Sequence, residues 1–303
     1  MTGVGPGGGR RPAPPARATI MQTLGQIREM LGAAGLSPRK SLGQNFLIDQ
    51  NLIGRLVDAG VGDGADARLV LEVGPGTGTM TEELLARGCR VVGAELDHGL
   101  CELLRLRLGA SPNFRLVEGD CLSGKSALSA EVVAAVRGEG FRLVSNLPYG
   151  AGTGVLLGIL TRHPECDRMA ITVQREVADR LAAEPGSEAY GSISIVAQCL
   201  ASVRKIATLP PECFWPRPEV TSAMVVLERL AEPLTDNPVS LADFCKRAFA
   251  GRRKQLRGLL KSMGWGEGVT PPPSLPEAIA PESRIEELSP IQVSALERAG
   301  RAR

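Results

Sequence analysis

The sequence predicts an α/β fold with a mostly parallel sheet, followed by a small all-helical domain. Segments rich in β-branched residues alternate with amphipathic segments from about residue 40 to residue 230. This alternation is typical of a parallel sheet that is covered by helices on both faces. After the stretch EPLTDNPVS at 232–240, only helical patterns follow. We therefore expect an α/β domain at residues 20–235 and a helical domain at residues 236–303.

The predicted elements of the first domain follow one another as strand, helix, strand. Right-handed connections between parallel strands place the ligand-binding loops at the carboxyl edge of the sheet. The predicted strands are Leu69–Val73, Arg90–Glu95, Phe114–Val117, Phe141–Ser145, Ala170–Gln174 and Met224–Leu227, and the first helices between them are Met80–Arg87 and Gly99–Leu108.

The amino-terminal residues divide into two parts. Residues 1–19 are mostly Gly, Pro and Arg and have little to bury, so we expect a disordered tail. Residues 20–34 predict an amphipathic helix. Its apolar residues at helical spacing are Ile20, Leu24, Ile27 and Leu31.

The helical domain carries helix-start signals. Ser240 with Asp243 predicts one capping box, and Ser289 with Gln292 predicts another. Pro290 stands at the first helical position of the second helix, where its missing N–H costs nothing.

Composition narrows the function classes. With 35 Lys and Arg against 33 Asp and Glu, the chain is only slightly positive, so any nucleic-acid contact should come from a local patch. The seven cysteines form no C-x-x-C pair, which argues against a zinc site or a disulfide framework and suggests a reducing cytoplasm.

Only two histidines are present, so His-ligated metals are not expected. No apolar run is long enough for a membrane span, and no exposed heptad indicates an oligomer, so we expect a cytoplasmic monomer without a metal.

A glycine-rich loop joins the first predicted strand to a helix. In LVLEVGPGTGTM, Gly74 and Gly76 allow a tight turn and a close approach of backbone to ligand. The helix that follows offers free N–H groups to a polar ligand. A dinucleotide-binding loop would need a third glycine at position 79, which is Thr79. The spacing found here, with Glu72 before the first glycine, is the usual one in S-adenosylmethionine (SAM) methyltransferases.

Two acidic residues follow the next predicted strands. Glu95 ends the second strand, about 20 residues after the glycines, where a carboxylate accepts hydrogen bonds from ribose hydroxyls. Both NAD and SAM carry that ribose, so Glu95 indicates a nucleoside without choosing between them. Asp120 follows the third strand and could accept a hydrogen bond from an adenine amino group.

The fourth predicted strand ends in SNLPYG at 145–150, beside the same ligand. An exocyclic adenine amine is a poor nucleophile, because its lone pair is delocalised into the ring. The Asn146 side-chain oxygen and the Leu147 carbonyl could accept its two hydrogens and so direct the lone pair at a methyl donor. Pro148 stiffens the loop and supplies no competing N–H, and Tyr149 can stack on the base.

These motifs resemble those of the ribosomal RNA adenine N6,N6-dimethyltransferases, the KsgA/RsmA family. The resemblance rests on KSLGQNFLID at 40–49, EVGPGTGTMT at 72–81, NLPY at 146–149 and FWPRPEVTSAMVVL at 214–227. It implies a Rossmann-like class I SAM methyltransferase domain with a small C-terminal all-helical domain.

The resemblance also implies roles for individual residues. Phe214 matches an aromatic that closes on the target base opposite Tyr149, although from the residues alone it is equally a core residue. The segment at 44–47, which the sequence alone would make a helix entry, is implied to fold over the cofactor. The implied SAM-binding residues are Gln44, Asn45, Leu47, Gly74, Gly76, Glu95, Asp120 and Asn146.

The sequence departs from the family pattern at three places. The residues from Gly150 to Gly154 replace the family's usual Asn, aliphatic, Ser and Thr, and these glycines should loosen the loop that carries Tyr149. Glu219 stands where a basic residue is usual, and Thr221 replaces a common Asp.

A basic segment lies in the helical domain. CKRAFAGRRKQLRGLL at 245–260 predicts a dense basic helix, either a solvated face or a contact with RNA phosphates, and the resemblance favours RNA. The candidate RNA-binding residues are Arg252, Arg253, Lys254 and Arg257.

The expected function is SAM-dependent dimethylation of two adjacent adenosines in the 3′-terminal hairpin loop of 16S rRNA, on a small-subunit precursor. An Erm-type enzyme acting on 23S rRNA would be more basic and carry NIPY, and a DNA adenine methyltransferase would carry two prolines in its tetrad. A ribosome-assembly binding factor with secondary or lost catalysis is an alternative of another class. A NAD-dependent oxidoreductase is disfavoured by Thr79 and by the tetrad.

Overall fold

The computed structural model describes residues 22–62, 68–265, 267, 274–276 and 279–301. The expected disordered tail at 1–19 lies outside the described residues. The predicted amino-terminal helix is present as α1 (Leu24–Ala33), capped by Thr23 and Gln26 in a capping box. Among the described helices, none combines the length and the apolar character of a bilayer span.

The remaining elements are as follows. The strands are β1 (Phe46–Leu47), β2 (Leu69–Val73), β3 (Arg90–Glu95), β4 (Phe114–Glu118), β5 (Phe141–Asn146), β6 (Cys166–Gln174), β7 (Ala201–Leu209), β8 (Phe214–Trp215) and β9 (Ser222–Arg229). The helices after α1 are α2 (Gln50–Val61), α3 (Thr79–Ala86), α4 (His98–Leu108), α5 (Ala130–Val136), α6 (Gly152–Arg162), α7 (Arg175–Leu181), α8 (Ser192–Leu200), α9 (Pro238–Phe249), α10 (Leu256–Ser262) and α11 (Pro290–Gly300).

The main sheet confirms the predicted α/β fold. Its strand order is β4-β3-β2-β5-β6-β9-β7, with parallel pairing from β4 to β6 and antiparallel pairing of β9 with both neighbours. Each predicted strand is present, extended by a few residues in several cases. The edge strand β7 was not predicted, because its outward residues, such as Arg204 and Lys205, are exposed and give it a polar pattern.

A second, two-stranded sheet brings distant segments together. β1 pairs antiparallel with β8, so that Phe46 lies opposite Trp215 and Leu47 opposite Phe214. The interpretation of this segment as a helix entry is therefore wrong: a 3-10 turn at Lys40–Leu42 is followed by a short strand. The segment is fixed by pairing with a strand that lies far along the chain, which local patterns do not reveal.

The hydrophobic core lies on both faces of the main sheet. On one face α2 packs tightly against β5, because a Cβ on Gly60 would lie 2.3 Å from Val144 Cγ2. On the other face the buried residues of α6 and α8 join those of α9 and α11 in one cluster. The division at residue 236 stays a prediction, since side chains from both sides of it share this core.

Two local predictions for the helical part are wrong. The first helix is capped by Asn237, whose side chain accepts from the Ser240 N–H, with Pro238 in its first turn. Ser240 instead donates to the buried carboxyl of Glu297. The continuous basic helix at 245–260 is also interrupted, because α9 ends at Phe249 and α10 begins at Leu256. The capping box of Ser289 with Gln292 is confirmed.

A half-buried arginine closes the end of α6. Arg229 donates to the carbonyls of Ile159 and His163 from Nη2, of Leu160 from Nη1 and of Cys166 from Nε, at 3.0–3.1 Å. Burial lowers the pKa of this guanidinium. The side chain adds donors to carbonyls at the end of the helix, where intrahelical partners run out, and it ties the helix after the tetrad to Cys166 at the start of β6.

Replacing this arginine should destabilise the fold. In Arg229→Met the apolar stem is kept but the carbonyls lose their donors, so we expect the free energy of unfolding to fall by about 2–4 kcal/mol. Urea unfolding followed by circular dichroism measures this. Arg204→Met, on the exposed edge strand, is the control and should change stability little; equal losses in both variants would contradict the assignment.

Candidate active site

A cavity of about 400 Å³ opens at the carboxyl edge of the sheet. That volume is within the usual range for small-molecule sites. The loops after β2, β3, β4 and β5 all contribute to its wall, as does the segment before β1. The lining residues are Lys40, Ser41, Leu42, Gly43, Gln44, Asn45, Phe46, Val73, Gly74, Gly76, Ala94, Glu95, Leu96, Leu100, Gly119, Asp120, Cys121 and Asn146–Ala151.

The glycine loop forms one wall of this cavity in left-handed backbone conformations. Gly74 has φ 71° and Gly76 has φ 60°, which favour glycine. A Cβ on Gly76 would lie 2.8 Å from the Phe46 ring, and one on Gly74 would lie 3.2 Å from Pro148 Cγ. The two glycines therefore allow the amino-terminal segment and the tetrad to close onto the loop.

Glu95 is held beneath the loop by backbone donors. Its Oε2 accepts from the Gly76 N–H at 3.1 Å and its Oε1 from the Asp97 N–H at 2.9 Å. Burial raises the pKa of this carboxyl, and the two N–H groups oppose the rise. A buried carboxylate on the cavity wall is suited to hydroxyl donors such as those of a ribose.

The amino-terminal segment reaches the cavity through two of its three predicted residues. Gln44 donates to Asp97 Oδ2 at 3.0 Å, and Asn45 lies beside it on the cavity wall. Leu47 does not reach the main cavity; its side chain is buried in the core. Phe214, its partner across the short sheet, is 3% exposed and packs in the same core.

The tetrad lies at the end of β5. Asn146 donates from Nδ2 to the Asn45 carbonyl at 2.8 Å, and its Oδ1 accepts from the Thr172 hydroxyl. The Tyr149 hydroxyl bonds Ser222 Oγ at 2.7 Å, and burial raises the pKa of this phenol. Both polar side chains of the tetrad are thus tied to neighbouring strands.

The glycines after the tetrad have packing roles in the structure. Helix α6 already begins at Gly152. A Cβ on Gly154 would lie 2.5 Å from the Lys125 carbonyl oxygen, so this glycine lets the loop after β4 pack against the helix. The expectation of a loosened loop therefore does not extend to Gly154, where close packing excludes a larger residue.

Leu96 and Phe46 are among the cavity residues that the sequence motifs did not indicate. Leu96 lines the cavity with 52% of its surface exposed. Asp120 lines the same cavity, and its carboxylate accepts from the Leu122 N–H at 2.8 Å. An apolar residue directly after Glu95 is a signal that could have identified Leu96. Phe46 also lines the cavity, and its ring stacks on Trp215 with centroids 6.3 Å apart.

The candidate RNA-binding residues lie in the turn between α9 and α10 and, for Arg257, in the first turn of α10. Arg253, Lys254 and Arg257 are exposed, whereas Arg252 is partly buried and pairs with Glu286 at 3.4 Å. In the part of the chain that the structure describes, no three His, Cys, Asp or Glu side chains come together as a potential metal site.

Glu72 is a second buried acid below the glycine loop. It accepts a hydrogen bond from the Thr81 hydroxyl at 2.6 Å. Burial, which the Thr81 bond opposes and Glu95 reinforces, raises the pKa of Glu72 from 4.5 to about 8. The folded protein therefore holds this proton at pH values where the unfolded chain has lost it.

This raised pKa makes stability depend on pH with a definite sign. Between about pH 4.5 and 8 the folded state binds more protons than the unfolded state, so the contribution of Glu72 to stability falls as pH rises. Glu72→Gln cannot ionise and still accepts from Thr81. Urea unfolding of both proteins at pH 5 and pH 8.5 should show wild type losing stability relative to the variant at the higher pH. A constant difference would mean that Glu72 titrates normally.

Sequence comparisons match most of the chain. The family described as "Ribosomal RNA adenine dimethylase" matches residues 35–298. Ribosomal RNA small subunit methyltransferase A of Phenylobacterium zucineum is 41% identical over 248 residues, covering 80% of this chain and 83% of the relative. The protein of the same name from Geobacillus thermodenitrificans is 38% identical over 241 residues, covering 77% and 80%.

Solved structures share the fold at lower identity. A dimethyladenosine transferase from Plasmodium falciparum matches with a TM-score of 0.65 at 19% identity, covering 83% of this chain and 95% of that one. The 23S rRNA methyltransferase ErmE matches with a TM-score of 0.57 at 23% identity, covering 84% and 99%. Four observations indicate the same family: the Rossmann-like methyltransferase fold, the glycine loop with its Glu95 carboxylate, the NLPY tetrad and the family match over residues 35–298. The chain therefore belongs to the ribosomal RNA adenine dimethylase family of SAM-dependent enzymes.

Proposed function

We propose that the chain transfers methyl groups from SAM to N6 of two adjacent adenosines in the 3′-terminal hairpin loop of 16S rRNA, two to each base. The observation that carries this proposal is the NLPY tetrad at the cavity edge, with the Asn146 oxygen oriented by two neighbours. The relatives at 38–41% identity are named for the small subunit, whereas the 23S enzyme is 23% identical. This difference favours the small-subunit substrate.

The cavity suits the cofactor in its chemistry. All three of Glu95, Asp120 and Leu96 line the cavity. We propose that Glu95 accepts from ribose hydroxyls and Asp120 from an adenine amine, and that Leu96 packs against a ring. Gln44, Asn45 and the glycines at 74 and 76 form the remaining polar and backbone wall. Leu47 contributes by holding its segment in the core. When bound, SAM supplies an electrophilic methyl group on a sulfonium.

The tetrad is proposed to activate the target amine by orienting it with hydrogen-bond acceptors. Oδ1 of Asn146 has one acceptor site left after the Thr172 bond, and the Leu147 carbonyl provides a second acceptor. Two hydrogen bonds to the amine hydrogens pyramidalise the nitrogen and localise its lone pair, so no strong base is required. The target base must leave its stack to reach the tetrad, where the Tyr149 ring can hold it flat.

Phe214 has no part in this proposal in the conformation described. Its side chain is 3% exposed and lies in the core cluster that also holds Leu47. The exposed cations Arg253, Lys254 and Arg257 are proposed to contact RNA phosphates, which fix position without reading sequence. Arg252, already paired with Glu286, should contribute less. We further propose a cytoplasmic monomer that acts on a precursor of the small subunit.

A transfer assay with methyl-labelled SAM tests the proposal. The substrates are undermethylated small subunits, large-subunit RNA and duplex DNA, with digested nucleosides read by mass spectrometry. We expect dimethyladenosine from the small subunit alone. Asn146→Ala should lower the rate at least about 100-fold, because an orienting acceptor at the reacting atom is lost.

The control is Asn113→Ala, at an exposed loop asparagine, which should keep the wild-type rate. Dimethyladenosine in large-subunit RNA would indicate the Erm-type activity instead. No product from any substrate, with SAM still bound, would contradict the proposal and favour a ribosome-assembly factor with lost catalysis.

A further inference from the structure

Two buried hydroxyls, one on β6 and one on the next strand, β9, contact the tetrad. Thr172, on β6, is 1% exposed and lies directly opposite Asn146 in the parallel pairing of β5 with β6. Its hydroxyl bonds Asn146 Oδ1, and its carbonyl accepts from the Leu147 N–H at 3.3 Å. This one residue therefore holds both the side chain and the backbone at the start of the tetrad.

The direction of the Thr172 bond follows from the other contact of the same amide. The Asn45 carbonyl can only accept, so the atom 2.8 Å from it must be Nδ2 of Asn146. Oδ1 then faces Thr172, and the threonine hydroxyl must donate to it. The amide is fixed in one of its two orientations, with its oxygen and not its nitrogen available to an amine hydrogen.

Ser222 holds the other polar member of the tetrad. Its side chain is fully buried on β9, and its Oγ lies 2.7 Å from the Tyr149 hydroxyl. In the antiparallel pairing, Ser222 is opposite Gln174, two residues beyond Thr172 along β6. Because side chains alternate along a strand, Thr172 and Ser222 project from the same face of the sheet as Asn146.

The sheet thus supports the tetrad at two points. Side chains carried by strands are held more precisely than side chains carried by loops. Asn146 is the last residue of β5, and Tyr149 lies in the turn before α6. Without the two hydroxyls, the amide and the ring would be restrained mainly by the loop itself.

We propose that Thr172 and Ser222 are positioning residues for methyl transfer, Thr172 by orienting the Asn146 amide and Ser222 by fixing the Tyr149 ring. The inference rests on the proposed function of the tetrad. Neither residue is among those that line the cavity, so the proposal assigns neither of them a contact with cofactor or base. Their loss should slow the chemical step and leave the affinities for SAM and RNA unchanged.

The first test compares Thr172→Val with Thr172→Ser. Valine keeps the shape and the strand preference but removes the donor, whereas serine keeps the donor. With undermethylated small subunits we expect kcat to fall about 10- to 100-fold in Thr172→Val, with KM for both substrates within about two-fold of wild type. Thr172→Ser should return to within about three-fold of wild type. Thr172→Ala serves if the valine variant does not fold.

The second test is a double-mutant cycle between Ser222→Ala and Tyr149→Phe. Each variant loses the same hydrogen bond and keeps an aromatic ring at position 149. Each should lower kcat, and the double variant should be no slower than the slower single variant, because only one interaction exists to be lost. Additive losses would mean that Ser222 acts independently of Tyr149, which would contradict its positioning role.

The controls are Thr208→Val and Ser202→Ala, at exposed positions on the edge strand β7, which should keep wild-type kcat. Thermal melting and calorimetric titration with SAM accompany every variant. Wild-type kcat in Thr172→Val, or a loss explained by weaker SAM binding and not rescued by serine, would overturn the role of Thr172. A wild-type protein that binds SAM but methylates nothing would instead overturn the proposed function.

Discussion

The parallel pairing of β2 with β3 and β5 is the interaction on which the site depends. It brings the carboxyl ends of strands that are far apart in sequence to one edge, so that the glycine loop, Glu95 and Asn146 share one cavity. β2 is buried along its whole length, and β3 is buried except at its first residue, as is usual for parallel strands that are covered on both faces. The ends of these strands therefore supply much of the cavity wall.

The segment before β1 completes the cavity wall, but it is not part of the parallel sheet. It is held by pairing with β8 and by two single hydrogen bonds, from Gln44 to Asp97 and from Asn146 to the Asn45 carbonyl. The second bond links this segment to the residue proposed to orient the amine. A change in the segment would therefore reach both the cofactor wall and the tetrad. Under the proposed function, the amino-terminal motif would therefore affect methyl transfer as well as cofactor binding.

Much of the fold was readable from the sequence because its signals are local. The strands with continuous apolar runs, the glycine spacing and the capping box of Ser289 depend on neighbours a few residues away. The incorrect predictions concern residues whose partners lie far along the chain, or positions where two sequence signals indicate different structures. Asn237 followed by Pro238 defined the helix start better than Ser240, and the basic run was broken by the turn after Phe249.

The same distinction between local signals and distant partners applies to the candidate site. The loops that meet at the sheet edge follow from the fold class, but no local pattern shows that Leu47 and Phe214 pair with each other and are buried. The hydroxyls of Thr172 and Ser222 lie within apolar strand patterns, where they resemble ordinary strand residues. Only the strand register brings them to Asn146 and Tyr149.

A crystal structure of the chain with SAM bound tests the central claim most directly. The account predicts the ribose hydroxyls within hydrogen-bond distance of Glu95, the adenine beside Leu96 and Asp120, and the sulfonium methyl pointing to the space between Asn146 and Tyr149. A cofactor bound with its ribose away from Glu95, or with its methyl pointing away from the tetrad, would contradict the account.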